Sequence, residues 1–282
     1  MGGPAVAGGT PEPAHRRGGH APLRTTRNRI KPMSSPFRRH KQRVQAIRAG
    51  AAPSTESTAP AEPDTSTPEG KEYAALRVLL HDNLRALKDI ASHEARIPKK
   101  KEFAGAFAAW IDGVLEAGDQ GKAAQDEILV TNMLWAIDYR DFDYALALAA
   151  HAIRFHLVLP GFTRTVACIV AEEIAGIALA QAKAVPHEAL LRTLELVNGA
   201  DMPDPVMAKL YKAIGRSFAR KADEFDPAAD NAPAGGKAAY IEAALTTLSR
   251  ALVLDRNIGV KKDLERLERQ KKAMAEQATT AP

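Results

Sequence analysis

The sequence predicts an all-α protein, an irregular bundle of paired, partly tetratricopeptide-like helices that follows a disordered, basic N-terminal arm. Ala and Leu dominate the apolar 45% of the chain, and only 5% is aromatic. That composition favours helices packed through small side chains. Apolar residues recur every three or four positions after residue 70, and no segment of useful length alternates with the period of a strand.

The first fifty residues differ in composition from the rest. They hold eleven Lys or Arg and one acid, Glu12, a net charge of +10, whereas the other residues together carry −5. Residues 1–32 are rich in Gly, Pro and Arg without periodicity, so we expect disorder there. A linker rich in Pro, Ser and Thr completes the predicted arm at residue 70.

An amphipathic helix is predicted over residues 71–98, with Pro98 ending it. One apolar stripe runs along this helix, formed by Tyr73, Leu76, Leu80, Leu84, Leu87 and Ile90. Because a flexible linker precedes it, we expect this helix to pack either on the body or on another subunit.

An all-helical core is predicted over residues 99–274, with a disordered tail at 275–282. Its helices are expected at 99–118 with Gly118 as C-cap, at 122–138, from the turn YRDFD (139–143) to about 157, and at 165–184, 187–198, 204–222, 237–254 and 259–274. Two of them share a small-residue spacing typical of tetratricopeptide helices, at Ala145, Ala149 and Ala152 and at Ala244, Leu248 and Ala251. The copies lie 99 residues apart rather than about 34, so ordinary packing in an irregular domain is the alternative.

Several classes of protein are excluded by absent motifs. The chain has no GxxxxGK[ST] phosphate loop and no CxxC or HExxH, which excludes an ATPase motor and the common zinc sites. One cysteine, Cys168, excludes a disulfide framework. The most apolar stretch is interrupted by Glu172 and Glu173, so no transmembrane helix is expected.

Acidic clusters were considered as metal-dependent nuclease sites, which need carboxylates around a divalent ion. The clusters are Asp138, Asp141 and Asp143, then Asp201 and Asp204, then Asp223, Glu224, Asp226 and Asp230. The first two are expected at helix starts, where acids cap backbone N–H groups, and the third is expected in a loop. None has the strand-borne Asp…Glu-x-Lys spacing of common nuclease cores, so no catalytic or metal-binding residue is assigned.

Two basic segments are candidate contacts for DNA phosphates. The first, MSSPFRRHKQRVQAIRAG at 33–50, offers Arg38, Arg39, Lys41, Arg43 and Arg48. The second is the last predicted helix, which offers Lys261, Lys262, Arg266 and Arg269. The alternatives are a solvated tail and a solvated helix face of mixed charge.

Five longer motifs occur together, in this order, in one family. They are WIDGVLEAG (110–118), AQDEILVTNMLWAID (124–138), HLVLPGFTRT (156–165), TLELVNGADMPDPVMAKLYKAIGRSFAR (193–220) and GVKKDLERLER (259–269). Through them, over about residues 103–270, the chain resembles the terminase small subunit of Peduovirus-type temperate tailed phages, also called the terminase endonuclease subunit. Members of that family begin with a short Met-(Ser/Thr)-Ser-Pro and a basic segment, as MSSPFRRH does. We therefore expect Met33 to be the true start and residues 1–32 an upstream extension.

The resemblance implies a subunit that binds double-stranded phage DNA at the cohesive-end packaging site. It would recruit or regulate a terminase large subunit, which uses ATP to cut and package the genome into procapsids in the cytoplasm of the bacterial host. A homo-oligomer without membrane contact is expected, with the helix at 71–98 as a candidate subunit contact. No cofactor is expected in this chain, except Mg²⁺ if it cuts DNA.

Two alternatives stay open. The chain is itself the metal-dependent endonuclease that cuts concatemeric phage DNA, or it is a helical adaptor that binds only protein.

Overall fold

The structure, a computed structural model, describes residues 59–226 and 236–280. Within these ranges the regular structure consists of ten α-helices and one 3-10 turn, without a strand, which confirms the all-α prediction. The expectations for residues 1–58, including Met33 and the basic arm, and for the loop at 227–235 lie outside the described residues.

The ten described helices are numbered in chain order. They are α1 (Pro68–Asp89), α2 (His93–Ala104), α3 (Ala108–Asp119), α4 (Glu127–Asp138), α5 (Phe142–Arg154), α6 (Val166–Ala180), α7 (His187–Leu196), α8 (Asp204–Asp223), α9 (Gly236–Leu254) and α10 (Lys261–Thr280). The 3-10 turn Gly105–Phe107 joins α2 to α3. Helix α10 continues past residue 274, into the stretch predicted as a disordered tail.

The prediction that Pro98 ends the first helix is wrong. Helix α1 ends at Asp89, and the Ser92 hydroxyl then accepts a hydrogen bond from Ala95 N over 3.2 Å to start α2. Pro98 lies inside α2. Its missing N–H removes one backbone bond, and the local cap at Ser92 sets the boundary instead.

The predicted single helix at 99–118 is also wrong, because the turn Gly105–Phe107 divides it. Gly118 is not the C-cap: it lies in the last turn of α3, buried against the His151 ring. After α3, Gly121 has left-handed backbone at φ +79°, where a residue without Cβ is favoured.

Helix α1 packs on the body through its predicted stripe. Tyr73, Leu80 and Leu87 are buried, and the Tyr73 hydroxyl accepts a hydrogen bond from Glu127 N over 3.1 Å. Arg77 Nε lies 3.0 Å from a Glu127 carboxylate oxygen. Of the two expected packing modes, the structure thus shows contact with the body.

Residues 59–67, predicted as linker, form a strap along the body that ends in a turn at 64–67. Gln125 N donates to Ala61 O over 2.9 Å, and Arg77 reaches Glu62 over 2.9 Å. At the end of the strap, the Thr67 hydroxyl accepts from Gly70 N over 3.0 Å and caps α1. Fixed contacts with the body therefore begin before residue 71, where the predicted linker ends.

Helix α8 connects two hydrophobic cores. Val206, Leu210 and Ile214 belong to the first core, which runs from α1 to α8. One turn later Ala219 and Ala222 belong to a second core with α9 and α10. The six residues of the tetratricopeptide-like spacing, in α5 and α9, are all buried, which agrees with close helix packing.

None of the described helices combines the length and the apolar character needed to cross a membrane.

Candidate nucleic-acid interface

Helix α10 carries three of its basic residues, Lys261, Lys262 and Arg269, on the side that faces away from the protein. Leu267 on the inner side is buried in the second core. Lys261, Lys262 and Arg269 are exposed and enter no ion pair with any residue that the structure describes. The intervals of seven and eight residues between the lysines and Arg269 place all three on one side of a helix.

Ion pairs on the flank of α10 hold it against α8. Asp263 accepts from Arg216 over 3.0 Å, and Asp223, the last residue of α8, accepts from Arg266 over 3.0 Å. Gln270 Nε2 adds a hydrogen bond to Asp223 over 3.2 Å. These contacts set the rotation of α10 and so keep its basic side directed at solvent.

Lys212 of α8 fixes the turn that leads into α10. Its ammonium donates to Ile258 O over 2.6 Å. Burial lowers the pKa of Lys212, and the neighbouring Arg216 guanidinium lowers it further. The Lys212 ammonium is therefore engaged by the turn and is not part of the exposed basic side of α10.

The structure separates the four C-terminal residues that the sequence grouped together. Lys261, Lys262 and Arg269 remain available, whereas Arg266 is occupied by Asp223. The outer side also holds exposed Glu265 and Glu268, so its charge is mixed. The five arm residues, Arg38, Arg39, Lys41, Arg43 and Arg48, lie outside the described residues.

The three aspartates at the α4–α5 turn do not act as one cluster, because each has a different partner. Asp138 was expected at a helix start, but it is the last residue of α4 and pairs with Lys100 of α2. Asp141 caps α5 as predicted, since its carboxylate accepts from Tyr144 N over 3.2 Å. Asp143 pairs with Arg192 of α7.

The described residues of the other two acidic clusters lie at the two ends of α8. Asp204 lies in the first turn of α8, as expected, and Asp201 precedes it. Asp223 lies at the end of α8 rather than in a loop. Glu224 pairs with Lys183 over 2.7 Å, and this hydrogen-bonded ammonium lowers the pKa of Glu224. Among the described residues, no three of His, Cys, Asp and Glu form a group that could hold a metal ion.

A polar groove of about 410 Å³ beside the α4–α5 turn was not predicted from the sequence. Its lining includes Lys101, Tyr139 and Arg140. The Lys101 ammonium lies 6.0 Å from the centre of the Tyr139 ring, and Arg140 has left-handed backbone at φ +69°. Neither cation enters an ion pair within the described ranges, but Asp141, Asp143 and Glu188 also line the groove, so its charge is mixed.

Only the three-dimensional packing brings this groove together. Lys101 lies in α2, Arg140 in the α4–α5 turn, and Arg192, which also lines the groove, in α7. The lysine run at 99–101 was the one signal available in the sequence. Burial raises the pKa of Tyr139, and the nearby Asp141 carboxylate contributes to the rise.

Comparison with known proteins relates the chain to phage terminases. Residues 77–205 match the family model described as phage small terminase subunit. Over 261 residues the chain is 39% identical to the protein named "Terminase, endonuclease subunit" of Escherichia phage P2, a match that covers 89% of this chain and 92% of that protein.

A second relative matches over a shorter stretch. It is the protein named "Probable terminase, endonuclease subunit" of Haemophilus phage HP1 (strain HP1c1), 29% identical over 106 residues, which is 37% of each chain. No solved structure matches the chain significantly. The family match contains the whole polar groove but ends before α9 and α10.

Proposed function

The chain belongs to the phage small terminase subunit family, and from this premise we propose that it binds double-stranded phage DNA at the cohesive-end packaging site. In this role it recruits or regulates the large subunit, which uses ATP for genome cutting and packaging into procapsids in the host cytoplasm. No ATP-binding loop is present in this sequence, which fits that division of labour.

The outer side of α10 is the observation that carries the proposal. Lys261, Lys262 and Arg269 are exposed and unpaired within the described part of the chain, on a helix that α8 holds in one orientation. Cations on a rigid element lose little freedom when they contact phosphates. Such contacts position a protein on DNA without reading its sequence.

The N-terminal arm is the second proposed contact. It carries a net charge of +10 over its first fifty residues. If five of its cations, Arg38, Arg39, Lys41, Arg43 and Arg48, each displace a counterion, the logarithm of the binding constant falls with that of salt concentration at a slope of about −4 to −5.

Substitution on α10 tests the proposal within the folded part. We expect Lys261→Gln, Lys262→Gln and Arg269→Gln together to weaken DNA binding and to reduce the salt slope by up to about 3, since three phosphate contacts are removed. All three side chains are exposed, so folding should be unaffected.

The matched control removes acids from the same side of α10. Glu265→Gln with Glu268→Gln changes two exposed residues and should strengthen binding, because two repulsions with phosphate disappear. If both sets of variants bind DNA as tightly as the unmodified chain, α10 is not a DNA contact. If, in addition, a chain that starts at Ala59 still supports DNA packaging, the alternative of a helical adaptor that binds only protein would be favoured.

Cutting by this chain is the second candidate function, favoured by the similarity to the phage P2 protein with "endonuclease subunit" in its name. Purified chain with Mg²⁺ or Mn²⁺ should then nick site-bearing DNA without a partner. Because Asp141 caps α5, Asp141→Asn is the suitable change, since Asn retains the cap. Loss of nicking in Asp138→Asn, Asp141→Asn or Asp143→Asn would support a site at this turn, and unchanged nicking would place it elsewhere.

We further propose that the chain acts as a homo-oligomer. The outward side of α1 exposes Val78 and Leu79, at 64% and 39%, and homodimer interfaces are more apolar than the rest of a protein surface. Light scattering should give a mass above that of one chain, reduced by Val78→Asp with Leu79→Asp. A monomeric mass for the unmodified chain at working concentration would contradict the proposal.

A further inference from the structure

An apolar groove of about 520 Å³ lies between the strap, α1 and α3. One wall is the side of α3 formed by Trp110, Val114 and the small residues Ala109, Gly113 and Ala117. A Cβ added at Gly113 would meet no atom within 4 Å. The α3 wall is therefore apolar and open beside Gly113, a form that accepts another apolar segment.

Two carboxylates lie at the edge of this groove. Glu69 and Glu72 of α1 line it and are exposed. Pro63 also lines it, whereas its neighbour Glu62 pairs with Arg77 and its neighbour Asp64 accepts from Ser66 N. Lys122 is the only cation in the described lining, so the edge of the groove is acidic and suits a basic occupant.

The groove contains one further carboxylate, but it is already satisfied. Asp126 is 2% exposed, accepts a hydrogen bond from Trp110 Nε1 over 2.7 Å and accepts another from Leu129 N over 2.9 Å. Trp110 is held in place by this bond and by the Tyr73 ring, whose centre lies 5.7 Å away. The floor of the groove is thus fixed before anything binds.

One segment of this chain has the matching chemistry. The stretch RVQAIR, residues 43–48, places Val44 and Ile47 three positions apart, between Arg43 and Arg48. Residues with this spacing share one side of a helical turn. The segment therefore offers an apolar side flanked by two cations to an apolar groove flanked by carboxylates.

The chain can reach the groove from where the described residues begin. The hydrogen bond from Gln125 N to Ala61 O places the strap beside Ala123 and Ala124, which line the groove. Ten residues, 49–58, separate Arg48 from Ala59 and span up to about 35 Å when extended. A tether of this length gives an effective concentration of order mM.

We propose that residues 43–48 dock in this groove of their own chain, with Val44 and Ile47 against the α3 wall and Arg43 and Arg48 at the carboxylates. The docked segment is then unavailable to a polyanion. Only this consequence depends on the proposed function: if the arm binds DNA, then DNA and the groove compete for it.

Trp110 provides the measurement, since the chain has two tryptophans and the other, Trp135, is 3% exposed. In the full chain without DNA, acrylamide should quench Trp110 weakly. We expect Val44→Asp with Ile47→Asp to raise the quenching constant about twofold, and Glu69→Lys with Glu72→Lys to raise it as well. The control, Thr55→Asp with Thr58→Asp, adds the same charge in the linker and should change nothing.

The dependence of quenching on protein concentration distinguishes a segment of the same chain from a second copy as the occupant of the groove. Quenching that is independent of protein concentration over about a hundredfold range supports docking within one chain. Protection that grows with concentration would show a second copy in the groove and overturn the proposal. Equal quenching in the full chain and in the Val44→Asp, Ile47→Asp variant would also overturn it.

DNA addition is a separate arm of the experiment. Release of Trp110 on adding cohesive-end DNA supports the competition. Docking without release by DNA would leave the groove assignment standing and contradict DNA binding by the arm.

Discussion

The indole Nε1 of Trp110 donates a hydrogen bond to Asp126 Oδ2 over 2.7 Å, and the other oxygen of the same carboxylate caps α4 through Leu129 N over 2.9 Å. One buried side chain thus joins α3 to the start of α4. Burial raises the pKa of Asp126, against the opposing effect of these hydrogen bonds.

We expect Asp126→Ala to lower the free energy of unfolding by about 2 to 4 kcal/mol, because a buried helix cap is lost and a partly buried indole N–H loses its acceptor. Asp126→Asn keeps an acceptor for the cap and should lose less. Urea unfolding measures both. The control is Ser92→Ala, which removes an exposed cap of α2 and should lower the free energy of unfolding by about 1 kcal/mol. If Ser92→Ala and Asp126→Ala lose the same free energy, the hydrogen bond from Trp110 contributes nothing.

A matched pair of glycines tests the closeness of α8 and α9. A Cβ at Gly215 would lie 2.6 Å from Leu248 Cγ, whereas a Cβ at Gly176 in α6 would meet nothing within 4 Å. Overpacking should outweigh the gain in helix propensity at the first site, so Gly215→Ala should destabilise by about 1 to 2 kcal/mol. Gly176→Ala should stabilise by up to about 1 kcal/mol. Stabilisation of both variants in thermal unfolding would mean that α8 and α9 are less closely packed than described.

A histidine at the start of α7 makes stability depend on pH. His187 Nδ1 lies 2.9 Å from Ser217 Oγ, and its ring packs edge-on against Phe218 at 4.5 Å. Burial lowers the pKa of His187 below its ordinary 6.5, and the Lys221 ammonium lowers it further, while Glu188 opposes them.

Protonation of His187 is easier in the unfolded chain, so the unfolded state binds more protons below pH 6.5. The stability contribution of neutral His187 is complete above that pH and is lost as pH falls towards the lowered pKa. His187→Gln should therefore lose less unfolding free energy than the unmodified chain between pH 7 and about pH 5. Parallel losses in the two proteins would contradict this assignment.

Two truncated chains, one with the strap and one without it, should differ in their free energy of unfolding. A chain that starts at Ala59 keeps the Ala61–Gln125 hydrogen bond, the Glu62–Arg77 pair and the Thr67 cap. A chain that starts at Lys71 loses all three and should unfold with about 1 to 3 kcal/mol less free energy. Equal stability of the two truncated chains would show that the strap contributes no stability.

Local patterns in the sequence identified most of the helices, but not all of their boundaries and not the contacts between them. The spacing of Tyr73, Leu80 and Leu87 identified the buried stripe of α1, and Asp141 was recognised as a cap. The break at Ser92 was missed because a serine cap is a weaker sequence signal than Pro98. The pairing of Arg266 with Asp223 joins residues 43 positions apart, a contact that depends on how α8 and α10 pack and has no local signature.

The same limit applies to the two grooves. The residues that line each one come from several helices and the turns between them, and sequence spacing reports only residues on one helix. Composition did identify the basic arm, because charge segregation is visible without any fold.

The most direct test of the central claim is fluorescence anisotropy on cohesive-end and scrambled DNA, across a salt series, with the full chain and with a chain that starts at Ala59. The starting point at Ala59 leaves the strap intact, so a change in binding reports the arm alone. We predict that only cohesive-end DNA binds the full chain tightly at high salt, and that removal of the arm weakens binding and flattens the salt slope. Equal, weak binding of both DNAs by both proteins would contradict a recognition role for this chain.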